Sequence, residues 1–399
     1  MQAVILAAGK STRTYPITLT RPKCLVKIGN KPIIQHNLEN LRGLAGEAID
    51  EAIVIVGYMK EMVKEFLGSE FLGMKITYVE QEEQLGTGHA LLAAEKSVKG
   101  RFMVMMGDDI YYRKSAGSLL PHKSSLLVQK VKDPSRFGVW VTDKEGFVSG
   151  FAEKPEQFVS DLANCGLYVL EPAIFPEIKS LERSERGEFE LNEAVNNYAK
   201  KHPVKCVDAE KGWLSVGYPW DILNANQRLL EEMESPRMEG DVEPHAVLKG
   251  SVSVGKGTAI LSGSYIEGPV MIGENCVIGP NAYIRPHTSI GNGCRIRAEV
   301  VDSVIMDNTT AKHTSYIGHS VVGENVNIAG GTITADYRHD GKDHTATIGG
   351  KRVESMRHKL GAFIGDSVRT GINTSIYPGR KIWPNRTTLP GEVVSADKT

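Results

Sequence analysis

The sequence predicts two architectures in tandem: an α/β domain with a mostly parallel sheet, followed by a parallel β-helix built from six-residue repeats. Three observations predict it. From Val242 an apolar residue returns at every sixth position, through Leu248, Val254, Ile260, Ile266, Ile272, Ile278, Ile284 and Ile290 to Ile296. That period fits neither an amphipathic helix nor a hairpin meander, and it marks a solenoid whose coils bury one residue per strand against the next. In the first half, apolar runs at 53–56, 76–79 and 102–106 alternate with helix-like stretches at 33–44, 60–67 and 90–98. This is the spacing of βαβ units, with helices on both faces of the sheet. A length of 399 residues with 41% hydrophobic content is enough for two or three packed domains.

The expected boundaries are 1–230 for the α/β domain, 231–241 for a linker of Glu, Pro, Gly and Ser without an apolar stripe, and 242–399 for the β-helix. Ahead of the linker a helix is expected over 222–233. Net charge is −1, so no field favours nucleic acid or an acidic membrane, and small-molecule substrates are the expected partners. Five scattered cysteines with no CxxC pair argue for reduced thiols and against a zinc cluster. No basic leader precedes the first apolar run, and no apolar run approaches the roughly 18 residues of a membrane span. The expectation is a soluble, cytoplasmic protein.

In chain order, Ala3 to Leu6 is a buried strand that opens into the small-residue loop Ala7-Ala8-Gly9 and then the polar stretch Lys10 to Tyr15. Backbone N–H groups approach phosphate only where side chains are small, so such a loop at a strand's carboxyl end suits a nucleotide. It is not a P-loop, because Val4 stands where that motif needs its first glycine. Arg13 and Lys23 follow from this loop, the stretch Gln81 to Gly88 from a later one, and Gly107-Asp108-Asp109 ends the run F-M-V-M-M. Acid at a strand end beside basic groups suits a divalent cation on phosphates.

The order L-A-A-G-K-S-T-R (6–13), R-P-K (21–23), Q-L-G-T-G-H-A (84–90), G-D (107–108), E-K-P (153–155) and N-C-G-L-Y (164–168) resembles the sugar-1-phosphate nucleotidylyltransferases. The resemblance implies a Rossmann-like nucleotidyltransferase domain acting with Mg²⁺ on UTP or dTTP. It places Leu6, Ala8, Gly9, Gln81, Gly86 and Thr87 at the nucleotide, with Gln81 reading a pyrimidine edge. Arg13 and Lys23 would be catalytic, neutralising the triphosphate and the departing pyrophosphate, while Asp108 would hold the metal. Gly138, Glu153, Lys154 and Asn164 match sugar-phosphate positions. The chain departs from the family at Ser11, where a second glycine is usual, and at Trp213-Leu214-Ser215-Val216-Gly217, which lacks an expected aspartate. Asp221 is the nearest carboxylate, so it is a candidate second metal ligand or a helix cap.

After Ile296 the six-residue register breaks, with Asp302 where an apolar residue is due, and resumes loosely at Ile317, Val322 and Ile328. The segment K-H-T-S-Y-I-G-H-S-V-V-G-E-N-V-N-I-A-G-G-T-I-T-A-D-Y (312–337), with I-R-P at 284–286, resembles the acetyltransferase half of the bifunctional enzyme that makes UDP-N-acetylglucosamine. The resemblance implies a left-handed parallel β-helix, a homotrimer, and acetyl-CoA as co-substrate. It casts His313 as the base that takes the amine proton, a task suited to imidazole near neutrality. Arg285, Tyr316, Asn327 and Tyr337 match substrate positions. Val301 stands where bacterial enzymes have a lysine, Asp336 replaces an asparagine, and 379–399 has no clean periodicity. The string K-L-G-A-F-I-G-D-S-V-R-T-G-I-N (359–373) is more similar to the archaeal two-domain enzymes.

The expected function is therefore acetyl transfer to glucosamine-1-phosphate or galactosamine-1-phosphate, with uridylyl transfer to the N-acetylhexosamine-1-phosphate. Two readings compete with it. One is a single-activity glucose-1-phosphate uridylyl- or thymidylyltransferase whose β-helix only assembles subunits. The other is a non-catalytic assembly subunit like those of translation factors, against which Arg13, Lys23 and Asp108 argue.

Overall fold

The computed structural model describes residues 1–44 and 49–399. The chain forms two compact units. The first gathers Met1–Lys10, Pro22–Leu25 and Ile33–Ser215; the second gathers Ser11–Arg21, Val26–Pro32 and Val216–Thr399.

At the centre of the first unit the strand Gln2–Ala7 pairs in parallel with Glu51–Val56 on one side and Phe102–Met106 on the other, and Glu51–Val56 pairs in parallel with Met74–Glu80. All six residues of Gln2–Ala7 are buried, as a strand covered on both faces requires. Beyond Phe102–Met106 the sheet turns antiparallel, through Leu162–Leu170, Gly138–Thr142 and Val148–Glu153. The expected helices stand at Ile33–Arg42, Lys60–Leu67 and Thr87–Ala93. The last starts three residues earlier than the apolar pattern suggests, because Gly86 at φ 99° lets the chain turn into it.

One carboxylate stitches three parallel strands together. Glu51 accepts Gln2 Nε2 at 2.8 Å, Thr77 Oγ1 at 2.7 Å and Lys75 Nζ at 3.0 Å. The Thr77 hydrogen bond above all, with Lys75 and Gln2, holds its acid at about 2 against an ordinary value near 4.5.

The second unit is a parallel β-helix of three ladders. In one, Ile260 pairs with Ile278 and Ile278 with Ile296; in the next, Ile266 with Ile284; in the third, Ile272 with Ile290. A full coil is thus three hexads, and each inward aliphatic lies on its equivalent in the coil below. From Val254 to Ile296 these positions are at most 2% exposed, whereas Val242, in the outermost coil, is 42% exposed.

The pairing does not break at Asp302. Ile284 pairs with Val300, Ile290 with Ile305 and Ile296 with Ala311, so the coil contracts while the ladders continue. Asp302 sits at the corner between Glu299–Val301 and Val304–Ile305, at φ 42°, and the inward slots belong to Val300 and Ile305. The solenoid also runs into the tail, where Ile382 and Val394 are buried and pair with Ile364 and Ile376. A hairpin, Thr345–Ile348 with Lys351–Glu354, interrupts it once.

The unit boundary differs from the expected linker. The helix Pro219–Glu231 belongs to the second unit, where Asn226 accepts Gly29 N–H at 3.0 Å and donates to the His287 carbonyl at 2.9 Å. Within the same unit Arg21 donates to Glu324 at 2.6 Å and to Asp366, and Asn30 donates to the Ile290 carbonyl at 2.7 Å. Composition over 231–241 could not reveal this, because the determinants are single polar side chains distant in sequence.

Ile278→Ala should lower stability by about 2–5 kcal/mol, while Val242→Ala should change it little, because only the first opens a cavity; thermal melting of the two variants checks this. The Glu51 contribution has a defined sign. Its folded pKa is depressed, so its stabilisation is present above the ordinary value and is lost as pH falls toward 2. Glu51→Gln should flatten the fall in melting temperature between about pH 5 and pH 2.

Candidate active sites

In the first unit the carboxyl ends of the parallel strands are tied to one another. Gly107 N–H donates to the Leu6 carbonyl at 2.9 Å, Tyr58 N–H to the Ala8 carbonyl at 3.1 Å, and Gln81 N–H to the Val56 carbonyl at 2.9 Å. Glycine is needed at the crossing, since a Cβ on Gly107 would lie 3.0 Å from the Leu6 oxygen. Leu6 and Ala8 are buried, and Gly9 is exposed at the mouth of the loop.

The acidic pair that ends Phe102–Met106 divides its work. Asp108 Oδ2 meets Lys23 Nζ at 2.8 Å, with the lysine side chain 6% and the aspartate 39% exposed. Asp109 is structural: its Oδ2 accepts Trp213 Nε1 at 2.9 Å and its carbonyl accepts Asn37 Nδ2 at 2.8 Å. Burial, helped by the Asp108 charge, pushes the neighbouring Cys24 thiol up to about 12, so it is an inert packing group. Asp108 is thus a buried cation's partner with one side open to solvent.

Gln81 is buried, and its Nε2 lies 3.1 Å from the Gly86 carbonyl and 3.0 Å from His89 Nδ1, a partner the sequence reading did not identify. Thr87 Oγ1 accepts Leu191 N–H at 3.1 Å, so it anchors the segment before the helix Leu191–Ala199. Beside that segment a cavity of about 530 Å³ is lined by Phe151, Glu153, Lys154, Arg186, Glu190 and Asn192. Asn164 Oδ1 accepts Trp140 Nε1 at 3.1 Å and Tyr168 Oη at 3.0 Å, while its Nδ2 donates to Asn192 at 2.9 Å. Gly138 pairs with Glu153 across the sheet, where a Cβ would lie 2.8 Å from the Glu153 carboxylate. Arg186 and Asn192 carried no motif that could have singled them out.

Arg13 lies in the second unit by the division of the chain, exposed, with its guanidinium 5.7 Å from the centre of the Tyr218 ring. Asp221 takes the capping role: its Oδ2 accepts Gly217 N–H at 3.0 Å and Tyr218 N–H at 2.8 Å at the start of Pro219–Glu231. Ser11 stands at φ 50°, in the left-handed region, which accounts for the glycine usual there.

On the β-helix, one ladder stacks Tyr283, Glu299, Tyr316 and Ile333 on successive coils. These four side chains line a cavity of about 380 Å³ together with Thr314 and Arg297. Arg285 pairs with Glu299 at 3.0 Å and lies 5.6 Å from the Tyr283 ring centre. Tyr316 Oη donates to Asp336 Oδ2 at 2.6 Å; burial first, and this bond second, push the phenol's pKa well up.

His313 is exposed at the corner between Thr310–Ala311 and Tyr316–Gly318, next to the cavity-lining Thr314. Gly330 lies beside it on the next coil, where a Cβ would be 3.2 Å from that of His313. Asn327 is on the neighbouring ladder, accepting Thr310 Oγ1 at 2.9 Å, and Tyr337 is 52% exposed, edge-on to the His358 ring at 5.8 Å. The structure therefore brings Arg285 and Tyr316 to one wall with His313 adjoining, and leaves Asn327 and Tyr337 outside it. Glu299 and Asp336 are the acids that complete the wall. Asp336 stands where the resembled enzymes have an asparagine, whereas Glu299 lies in no recognisable spacing and only stacking reveals it.

Residues 2–232 match the nucleotidyl transferase family, and residues 264–387 match the GMPPB C-terminal domain. A Methanococcus maripaludis protein named bifunctional protein GlmU is 42% identical over 389 residues, which are 96% of this chain and 92% of that one. A Sulfurisphaera tokodaii protein named bifunctional sugar-1-phosphate nucleotidylyltransferase/acetyltransferase is 39% identical over 402 residues, covering 100% and 98% of the two chains. A solved Bacillus anthracis structure, described as a glucose-1-phosphate thymidylyltransferase with bound sucrose, is similar to 59% of this chain over 98% of its own, at 30% identity and a TM-score of 0.53.

Proposed function

The chain belongs to the bifunctional sugar-1-phosphate nucleotidylyltransferase/acetyltransferase family, and we propose that it makes UDP-N-acetylglucosamine in two steps. Acetyl-CoA would first acylate the amine of glucosamine-1-phosphate, and UTP would then uridylylate the N-acetylated product with release of pyrophosphate. The observation that carries this reading is the Lys23–Asp108 pair at the ends of the central parallel strands.

In uridylyl transfer the sugar phosphate's oxygen attacks the α-phosphorus in line, and the bond to the pyrophosphate oxygen breaks. Such chemistry needs positioning and charge neutralisation rather than a covalent intermediate. Lys23 supplies a fixed cation, and Gln81 beside the Gly86 turn a polar edge for a pyrimidine. The sugar would occupy the cavity of Glu153, Lys154 and Asn192, with Asn164 fixing Asn192. Among the described residues no three His, Cys, Asp or Glu side chains stand together to hold a metal. The partly open Asp108 carboxylate nevertheless fits Mg²⁺, which takes one or two carboxylates and completes its shell with phosphate oxygens and water. Bound there, the ion would neutralise phosphate charge. Asp221, engaged by two backbone N–H groups, is a poorer fit.

In acetyl transfer the amine nitrogen attacks the thioester carbonyl, the C–S bond breaks, and the amine's proton passes to His313 while the thiolate leaves. Arg285 would meet the sugar phosphate, and Tyr316 the sugar. The exposed position of His313 and the openness of its cavity are consistent with a homotrimer in which a second subunit completes the site. Among the described residues no helix is long and apolar enough to cross a membrane, and all five thiols are free.

The two half-reactions should separate by mutation. Asp108→Asn should cut pyrophosphate release by about a hundredfold or more and leave thiol release intact. His313→Ala should cut thiol release by roughly a hundredfold to ten-thousandfold and leave pyrophosphate release intact. Assays of both products on each variant decide it, and a variant that loses both activities removes the assigned role. Light scattering at micromolar protein should give three times the chain mass.

A further inference from the structure

From the acetyl-transfer wall a chain of polar groups runs inward, of which the proposed chemistry uses only Tyr316. Tyr316 Oη donates to Asp336 Oδ2 at 2.6 Å, and the same oxygen lies 3.4 Å from His319 Nε2. The other ring nitrogen of His319, Nδ1, lies 2.8 Å from Asp302 Oδ2. Arg357 bonds that oxygen too, and is itself held by Asn224 at 2.5 Å. His319 and Asp302 are only 9% and 7% exposed. They occupy the same corner on successive coils, both at positive φ, 49° and 42°, so coil stacking brings ring and carboxylate together. Asp336 is fixed from its backbone as well, its carbonyl accepting Leu360 N–H at 3.1 Å and standing 2.9 Å from His344 Nε2. Gly318 keeps the space clear: a Cβ there would lie 2.5 Å from Tyr316 Oη and 2.6 Å from Asp336 Oδ2.

A phenol has one hydrogen to give. With that hydrogen committed to Asp336, the Tyr316 oxygen offers the cavity lone pairs alone, and Glu299 on the next coil adds carboxylate oxygens. This acceptor edge, beside the Arg285 guanidinium that already holds one Glu299 oxygen, suits a ligand group that presents N–H donors to it, such as the amine of an amino sugar whose lone pair is left for the thioester. It disfavours a group that must accept, such as an amide carbonyl.

We propose that His319 is a positioning residue for acetyl transfer: braced by Asp302 and Arg357, it holds Asp336 on the Tyr316 hydroxyl so that this wall selects the free amino sugar over its N-acetylated product. The proposal rests on the acetyl-transfer reading of this face. It adds that discrimination between substrate and product is set one layer behind the wall.

The test is a double-mutant cycle on the full chain with His319→Ala, Tyr316→Phe and the pair, plus His319→Gln, which restores a donor. Thiol release gives KM and kcat for glucosamine-1-phosphate, calorimetry gives its binding and that of N-acetylglucosamine-1-phosphate, and pyrophosphate release reports the integrity of each protein. His319→Ala should raise the amino-sugar KM about tenfold with a smaller change in kcat, leave the acetyl-CoA KM alone, and narrow the binding gap between the two sugars. His319→Gln should recover part of this. In the Tyr316→Phe background His319→Ala should add less than about twofold, because both act through one hydroxyl. Effects that multiply would overturn the proposal, as would loss of pyrophosphate release in His319→Ala together with His319→Gln. Wild-type protein that binds glucosamine-1-phosphate but releases no thiol would remove the acetyl-transfer reading alone, leaving the positioning role to be decided by the binding cycle. Wild-type protein that binds neither sugar would overturn the positioning role itself.

Discussion

In-register stacking of parallel coils is the constraint on which the second unit depends. Each inward aliphatic must lie on its equivalent, so Ile260, Ile278 and Ile296 form one column and Ile272, Ile290, Ile305 and Val322 another. The same geometry acts on the outward side chains. Tyr283, Glu299 and Tyr316 form a column because their inward neighbours do, and the cavity wall is therefore a by-product of core register. Corners obey it too, which is how Asp302 and His319 meet although they are 17 residues apart in the chain. A contraction of the coil near Asp302 leaves the register intact because the slack is taken at corners, where positive φ is tolerated.

The first unit solves a different problem. Its parallel strands end together, and small residues at those ends let loops cross within hydrogen-bond distance of one another. A lysine buried to 6% exposure beside a half-open aspartate contributes little to stability, since exposed salt bridges are weak and buried charges cost desolvation. The adjacent Asp109 shows the contrast, because its carboxylate and carbonyl are both spent on fixing Trp213 and Asn37. Two neighbouring acids thus divide into one partly open carboxylate and one engaged in holding the structure around it.

The acceptor wall on the β-helix and the Lys23–Asp108 pair lie in different units, one read from stacked rungs and the other from strand ends. Chemistry that joins an amine to an acetyl group and chemistry that joins a sugar phosphate to a nucleotide have no shared group among these residues.

The six-residue period of isoleucine and valine determined the β-helix by itself, because only that fold buries every sixth residue in a line. The alternation of apolar runs with helical stretches likewise determined the parallel centre of the first unit. Motif order carried Lys23, Asp108, Gln81, Tyr316 and His313 into view. What the tertiary structure decided depends on contacts between residues far apart in sequence. It assigned Asp221 to a helix cap, since two backbone N–H groups needed an acceptor there. It placed Ser11–Arg21 and the helix Pro219–Glu231 with the β-helix, through side chains such as Arg21 and Asn226 that follow no period. It also set His319 between Asp302 and Asp336, a meeting that no spacing encodes because it arises only when one coil is laid on the next.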